Sequence, residues 1–254
     1  MDELNLGMLL FLIVAGYIAA FIDSVVGGGG LISLPALLLS GLPPSVALGT
    51  NKLAGTMSSL TSSISFMASG KIDVQLVKKL FPLALVGSAA GAYTVAFIPS
   101  SFLKPLVVVM LIAVTVYTAF KKNWGDRSTY RGLTKNAAIA TAAIAAVIGY
   151  YDGFFGPGTG SFLIFAFLLL GFDFVLAAGN AKALNFASNI GSLLMFIALG
   201  KVNYVYGLPM GLAMVAGALT GSRLAIRKGS AYVKPLFFLV TALLIGKQIW
   251  DLLG

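Results

Sequence analysis

Cysteine and histidine are both absent from the 254 residues. The lack of thiols excludes disulfides, thiolate metal sites and cysteine relays for sulfur atoms. The lack of imidazole removes the usual proton shuttle and the commonest metal ligand, so proton chemistry falls to a few carboxylates and lysines. Charge is scarce too: Asp, Glu, Lys and Arg make up 10% of the chain, against about 25% in an ordinary soluble domain. A soluble enzyme, a disordered chain and a nucleic-acid-binding module all need more than this. The run Gly27-Gly28-Gly29-Gly30 lacks the Lys-Ser/Thr ending of a P-loop, so coupling to ATP is not expected. Nor is a metal or an organic cofactor.

What the chain has instead is apolar surface: 59% of its residues are hydrophobic and its mean hydropathy is +0.98. This is the composition of an all-α integral membrane protein. The net charge of +9 is then read as Lys and Arg collected in cytoplasmic loops. The start, Met1-Asp2-Glu3, is acidic where a signal peptide is basic, so the first apolar stretch is expected to be a retained membrane segment.

A spanning helix needs about 20 mostly apolar residues. Residues 6–26 qualify and end in the four-glycine run; 31–40 are apolar but half that length, and stop at Gly41-Leu42-Pro43-Pro44. Residues 45–69 form a long segment rich in Ser, Thr, Asn and Lys, followed by plain spans at 80–98 and 102–120. After a polar loop at 121–135 the pattern returns: a span at 137–155 ending in Gly156-Pro157-Gly158-Thr159-Gly160, a half-length segment at 161–170, then 174–199, 206–226 and 233–253. Lys52 and Lys182 lie 130 residues apart, as do Gly41 and Gly171, Gly70 and Gly200, Lys71 and Lys201, and Gly87 and Gly217; Asp23 and Asp152 are 129 apart. Such a fixed offset marks an internal duplication. Residues 1–120 are expected to form the first membrane repeat, 121–136 a cytoplasmic connecting loop, and 137–254 the second repeat.

Loop charge sets the relation of the halves. The stretch 71–79 holds three lysines and its counterpart after Gly200 only Lys201, whereas 223–234 holds four basic residues and its first-half counterpart only Lys104. The basic member switches sides, which with five segments per half predicts an inverted repeat with both termini non-cytoplasmic.

Matched, glycine-interrupted short segments in two inverted halves point to a transporter site near the bilayer midplane. Each break starts a half-helix whose unpaired N–H groups and positive dipole end form an anion receptor. Gly28, Gly29 and Gly30, with Gly158, Thr159 and Gly160, are the candidates, and plain helix packing is the competing role for the glycines. Lys52 and Lys182 lie inside apolar segments, where a lysine costs about 2.5–3.5 kcal/mol, although each is near enough to a segment end to snorkel. Lys52 shares a helix face with Thr56, Ser59 and Ser63, and Lys182 with Asn185, Asn189 and Ser192, giving two stripes that either line a wet path or glue helices together. Asp23 and Asp152 are read as proton-coupling or gating groups, as partners of the lysines, or as caps at the breaks. Tyr150 and Tyr151 are packing aromatics or substrate contacts. Asn51 has Ala181 as its counterpart, so the pseudo-symmetry is imperfect.

From about Ala15 to Lys247 the chain resembles the TauE/SafE (TSUP) family of sulfite and organosulfur anion permeases. The resemblance is carried by Asp23-Ser24-Val25-Val26-Gly27-Gly28-Gly29-Gly30 with Pro35, by Gly49-Thr50-Asn51-Lys52-Leu53, by Tyr151-Asp152-Gly153-Phe154-Phe155-Gly156-Pro157-Gly158-Thr159-Gly160-Ser161-Phe162, and by Ala181-Lys182-Ala183-Leu184-Asn185-Phe186-Ala187-Ser188-Asn189. It implies an anion permease of the inner membrane, with a substrate-binding role for Asn51, Lys52, Lys182, Asn185 and the two glycine loops. The expected function is secondary export of a small sulfur-containing anion by alternating access. An anion channel with the same pore, or a permease for another small anion, is the alternative; a membrane enzyme is disfavoured. Small anion, lipid and protons are the expected partners, and oligomeric state stays open.

Overall fold

The computed structural model describes residues 6–99, 101–102, 128–130, 132 and 134–229. The segments expected at 102–120 and 233–253, and most of the loop at 121–135, lie outside the described residues. Within them the structure is helical: α1 Leu6–Val26, α2 Gly30–Leu39, α3 Pro44–Ala68, α4 Val74–Ala96, α5 Lys135–Phe154, α6 Thr159–Leu169, α7 Phe174–Ala198 and α8 Tyr204–Lys228.

Local chemistry explains the boundaries. Asp73, Thr134, Asp173 and Asn203 each use a side-chain oxygen to accept a first-turn N–H, starting α4, α5, α7 and α8, as N-caps do. Pro44 opens α3, where its fixed φ and missing N–H cost nothing. The Asp73 cap starts α4 at Val74, six residues before the apolar span expected at residue 80, so Lys78 and Lys79 belong to its first two turns rather than to a loop. Among the described residues, five helices (α1, α4, α5, α7 and α8) are long and apolar enough to cross a membrane. α3 has the length, 25 residues, but carries the Ser, Thr, Asn and Lys that face the protein interior. The half-length α2 and α6, with 10 and 11 residues, reach about 15 Å, half of a hydrocarbon core.

Small residues set how the helices pack. A Cβ on Gly91 of α4 would fall on the carbonyl oxygen of Tyr150 in α5, and one on Gly217 of α8 on that of Tyr17 in α1. Gly87 sits likewise against Ala146, and Gly221 against Phe21. Each pair runs parallel, and each rests on a Gly-x-x-x-Gly seam that brings backbones together without a hydrophobic driving force. α3 and α7, which carry the matched lysines, run antiparallel instead. Gly49 near the start of α3 lies on Lys201 beyond the end of α7, and Gly179 near the start of α7 lies on Lys71 beyond the end of α3. Side chains repeat the relation: Asn180 accepts the Asp73 N–H at 2.7 Å and Thr50 accepts the Asn203 N–H at 2.9 Å.

Two apolar clusters result. One gathers Leu12, Leu34, Leu48, Phe196 and Met210 at the end where α3 begins and α7 ends; the other gathers Val26, Phe66, Leu80, Phe167 and Leu184 at the opposite end. A polar layer lies between them. Because Gly91 has no room for a side chain, Gly91→Leu is expected to destabilise the protein by about 1–3 kcal/mol or more. Ala90→Leu on the exposed face should stay within about 0.5 kcal/mol. Thermal unfolding in detergent measures both.

Candidate functional site

The polar layer is built from four helices and two breaks. α1 carries Asp23 in its last turn and runs into a turn through Gly27 and Gly28, with φ of +77° and +88°, a region that only glycine enters without strain. The chain folds back so that Gly29 packs on Ala19 and Asp23, and α2 starts. In the second half α5 carries Asp152 in its last turn, the backbone turns at Gly156 and Gly158 (φ +97° and +85°), and α6 starts.

The two breaks touch. A Cβ on Gly27 would strike the backbone of Gly160 and Ser161, and one on Gly30 would lie 2.9 Å from the Cα of Pro157. Ser161 donates its hydroxyl to the Val26 carbonyl at 3.3 Å. Neither half-helix has a side-chain N-cap from its preceding residue, and the first N–H groups of any helix lack intrahelical acceptors. Two helix N-termini therefore meet at one point.

Around that point the charges cross-pair between halves. Lys52 Nζ lies 2.8 Å from Asp152 Oδ1, and both are 2% exposed; Lys182 Nζ lies 2.6 Å from Asp23 Oδ2, with exposures of 0% and 16%. The carboxylates are held differently. Asp152 Oδ2 also accepts from Ser188 Oγ at 2.5 Å and from Asn185 Nδ2 at 3.4 Å, whereas Asp23 Oδ1 accepts the backbone N–H of Gly29 at 3.1 Å. All four charges are thus neutralised inside the layer, the condition under which buried ions are tolerated.

A cavity of about 40 Å³ opens here, with room for about three waters. Its walls include Asp23, Gly28, Gly29, Gly30, Asn51, Lys52, Asp152, Gly158, Thr159, Gly160 and Asn185. Lys182 does not line it: its ammonium stands behind the Asp23 carboxylate. The polar stripes divide. Asn189 and Gly55 reach the cavity, and Asn189 Nδ2 donates to Ser59 Oγ at 3.4 Å, tying α7 to α3. Thr56 and Ser192 bond their own helix carbonyls, and Ser63 lines a separate apolar cavity between α3, α4 and α7. Thr56, Ser59 and Ser192 thus satisfy helix backbone or tie helices together, whereas Ser63 Oγ is buried without a hydrogen-bond partner; the stripe residues do not share one surface. Tyr151 donates to the Pro157 carbonyl at 2.6 Å and packs on Phe155 and Phe162, while Tyr150 bonds Thr94 on the outside, so both tyrosines are structural. Sequence reading missed Ser188, which lies three residues after Asn185 and answers to Asp152 rather than to Lys182. Ser33 and Met214, also in the cavity wall, carried no polar signal of their own or stood outside the matched motifs.

The architecture is that of a multi-pass membrane transporter: apolar helices enclosing a neutralised charged layer at converging half-helix N-termini. The model of the family described as "Sulfite exporter TauE/SafE" matches residues 12–247, and the chain belongs to that family. It is 40% identical to "Probable membrane transporter protein ORF9" of Sinorhizobium sp over 255 residues, covering 99% of this chain and 96% of the relative. It is 36% identical to "Probable membrane transporter protein YfcA" of Escherichia coli K12, covering 98% and 91%, and 32% identical to a "Probable membrane transporter protein" of Haemophilus influenzae, covering 98% and 97%. No solved structure matches. The family is thus described as one of exporters, and these relatives are named as probable membrane transporters.

Removing one partner of a buried ion pair strands the other. Lys52→Met is expected to cost about 3–5 kcal/mol, and the double change K52M/D152L to recover most of that loss. A double-mutant cycle of unfolding midpoints in detergent measures the coupling.

Proposed function

We propose that this chain is a secondary transporter that exports a small sulfur-containing anion, such as sulfite or an organosulfonate, across an inner membrane. The observation that carries the reading is the meeting of two half-helix N-termini at a small polar cavity. Oriented N–H groups and dipole ends favour a negative solute, and the flanking lysines add charge that is attracted without being mobile. In this reading the anion rests against Gly28–Gly30 and Gly158–Gly160, contacts Asn51, Lys52 and Asn185, and draws on Lys182. The carboxylates of Asp23 and Asp152 are the coupling groups, there being no histidine or cysteine to take that role. The family's description, sulfite exporter, supports the substrate class.

The halves act as inverted repeats in this proposal. Support comes from α3 and α7, which carry the matched lysines and run antiparallel, and from the parallel α1–α8 and α4–α5 pairs, which repeat the same contacts. Alternating access is favoured over an open channel by the size of the cavity, about 40 Å³, and by lysines locked in ion pairs. Lys71, Lys78, Lys79, Arg223, Arg227 and Lys228 fall at the end of the bundle where α3 and α8 finish, which is taken as the cytoplasmic end. Both termini are then external.

Calorimetry of the purified protein with sulfite, sulfate, thiosulfate, taurine, sulfoacetate and sulfolactate tests the site. At least one should bind, and Lys52→Ala and Lys182→Ala should each weaken it tenfold or more; unchanged affinity in both variants would misplace the site. Flux into proteoliposomes should saturate with concentration, whereas linear flux with single-channel currents would favour a channel. Orientation has its own check. Because the chain has no cysteine, a single one introduced at Ser128 is the sole target for a membrane-impermeant thiol reagent. It should be shielded in intact cells and labelled in inverted vesicles.

A further inference from the structure

The two carboxylates of the site, although matched in sequence, do different jobs. Asp152 is fixed by three side chains, Lys52, Ser188 and Asn185, and stays off the N-terminus of α6. Asp23 does the opposite: one oxygen takes the N–H of Gly29 at the N-terminus of α2, and the other takes Lys182. An ideal Cβ on Gly160, at the N-terminus of α6, would lie 3.3 Å from Asp23 Oδ1. The carboxylate therefore sits where both half-helices point, between Lys182 and the cavity. It is 16% exposed where its counterpart is 2% exposed.

Resting on the reading of this cavity as an anion site, we infer that Asp23 is a tethered competitor: its carboxylate occupies the anion position, and the transported anion binds by displacing it. Charge and geometry fit. A carboxylate and a small oxyanion are both oxygen acceptors suited to an ammonium and a backbone N–H. The cavity left beside Asp23, about 40 Å³, widens when that side chain swings away. A second observation points to an occupant. Asn51, 8% exposed, lines the same cavity with its Oδ1 unpartnered; that oxygen accepts, so the donor it lacks is a water entering with the anion or the hydroxyl of Asp23 once protonated, not the anion itself.

Displacement has a consequence for protons. Once the anion holds Lys182 and the Gly29 N–H, the freed carboxylate of Asp23 stands in a low-dielectric interior without a counter-ion, and an unpaired buried charge neutralises itself. It takes up one proton, Asp23–COO⁻ becoming Asp23–COOH, so anion and proton bind together. The groups facing Asp23 leave no other acceptor with that role. α7 presents Lys182, and α3 and α5 present the Lys52–Asp152 pair. Among the described residues, α2, α6 and the facing part of α8 line the cavity with Ser33, glycines, Thr159 and Met214, which do not titrate; Arg223 of α8 is exposed.

The full chain in detergent tests this with sulfite and sulfoacetate, the acid groups of the latter remaining ionised between about pH 6 and 8. Asp23→Asn should bind tenfold or more tighter than wild type, with an affinity for sulfoacetate that no longer changes with pH. Wild-type protein, titrated calorimetrically in buffers of different ionisation enthalpy, should take up about one proton per sulfoacetate bound. That second measurement needs no variant, so a misfolded Asp23→Asn does not rescue the idea. Wild-type binding with no proton uptake, or Asp23→Asn binding equally or more weakly, overturns the competitor while leaving the anion site standing. Binding of neither probe to either protein overturns both.

Discussion

Everything in this bundle is arranged around the contact of two broken helices, backbone against backbone. Gly27 rests on Gly160 and Ser161, and Gly30 on Pro157, with no side chain between them. In a membrane interior such a break is sustainable only where protein satisfies or shields the freed backbone groups. The contact does so by placing each break in the shelter of the other half. The same closeness imposes an electrostatic constraint: two helix N-termini facing each other are two positive dipole ends, and a negative group is required between them. Asp23 supplies it, and Lys182 in turn balances Asp23.

The cross-pairing of charges follows from this. Each lysine sits one helix away from the aspartate of its own half and within bonding distance of the aspartate of the other. The ion pairs are therefore also cross-links between the halves, and any relative movement of the halves has to break or carry them. In the proposed mechanism, an anion that substitutes for a carboxylate at one of these pairs would change which half holds which charge. A ligand of modest size would then gain leverage over a rearrangement of the halves by binding the two arrangements differently.

Much of this was legible from the residues. The ends of α1 and the start of α7 fall where hydropathy places them, because a membrane helix is delimited by the loss of apolar residues and by glycine. The offset of 130 residues identified the matched lysines, and the price of a lysine in hydrocarbon marked them as special. What periodicity reports, though, is which residues share a face, not what that face meets. The stripe drawn from Lys182 included Asn185, Asn189 and Ser192, yet Asn185 bonds Asp152, Asn189 bonds Ser59, and Ser192 bonds its own helix. Ser188 lies off that stripe, and nothing in the helical period links it to Asp152. Lys78 and Lys79 read as loop by hydropathy, whereas the Asp73 cap draws them into α4.

Composition, the glycine breaks and the repeated Lys and Asp positions were determined by the chain alone: a membrane bundle, its half-helices, and a small set of costly charges. The tertiary structure decided which charge faces which, that Lys182 stands behind Asp23, and that two sequence-equivalent aspartates are held by different donors. The reason is physical. Hydropathy and helical period act within a segment, whereas the register between segments is set by glycine seams such as Gly91 on Tyr150 and Gly217 on Tyr17, and only that register brings distant polar groups to bonding distance.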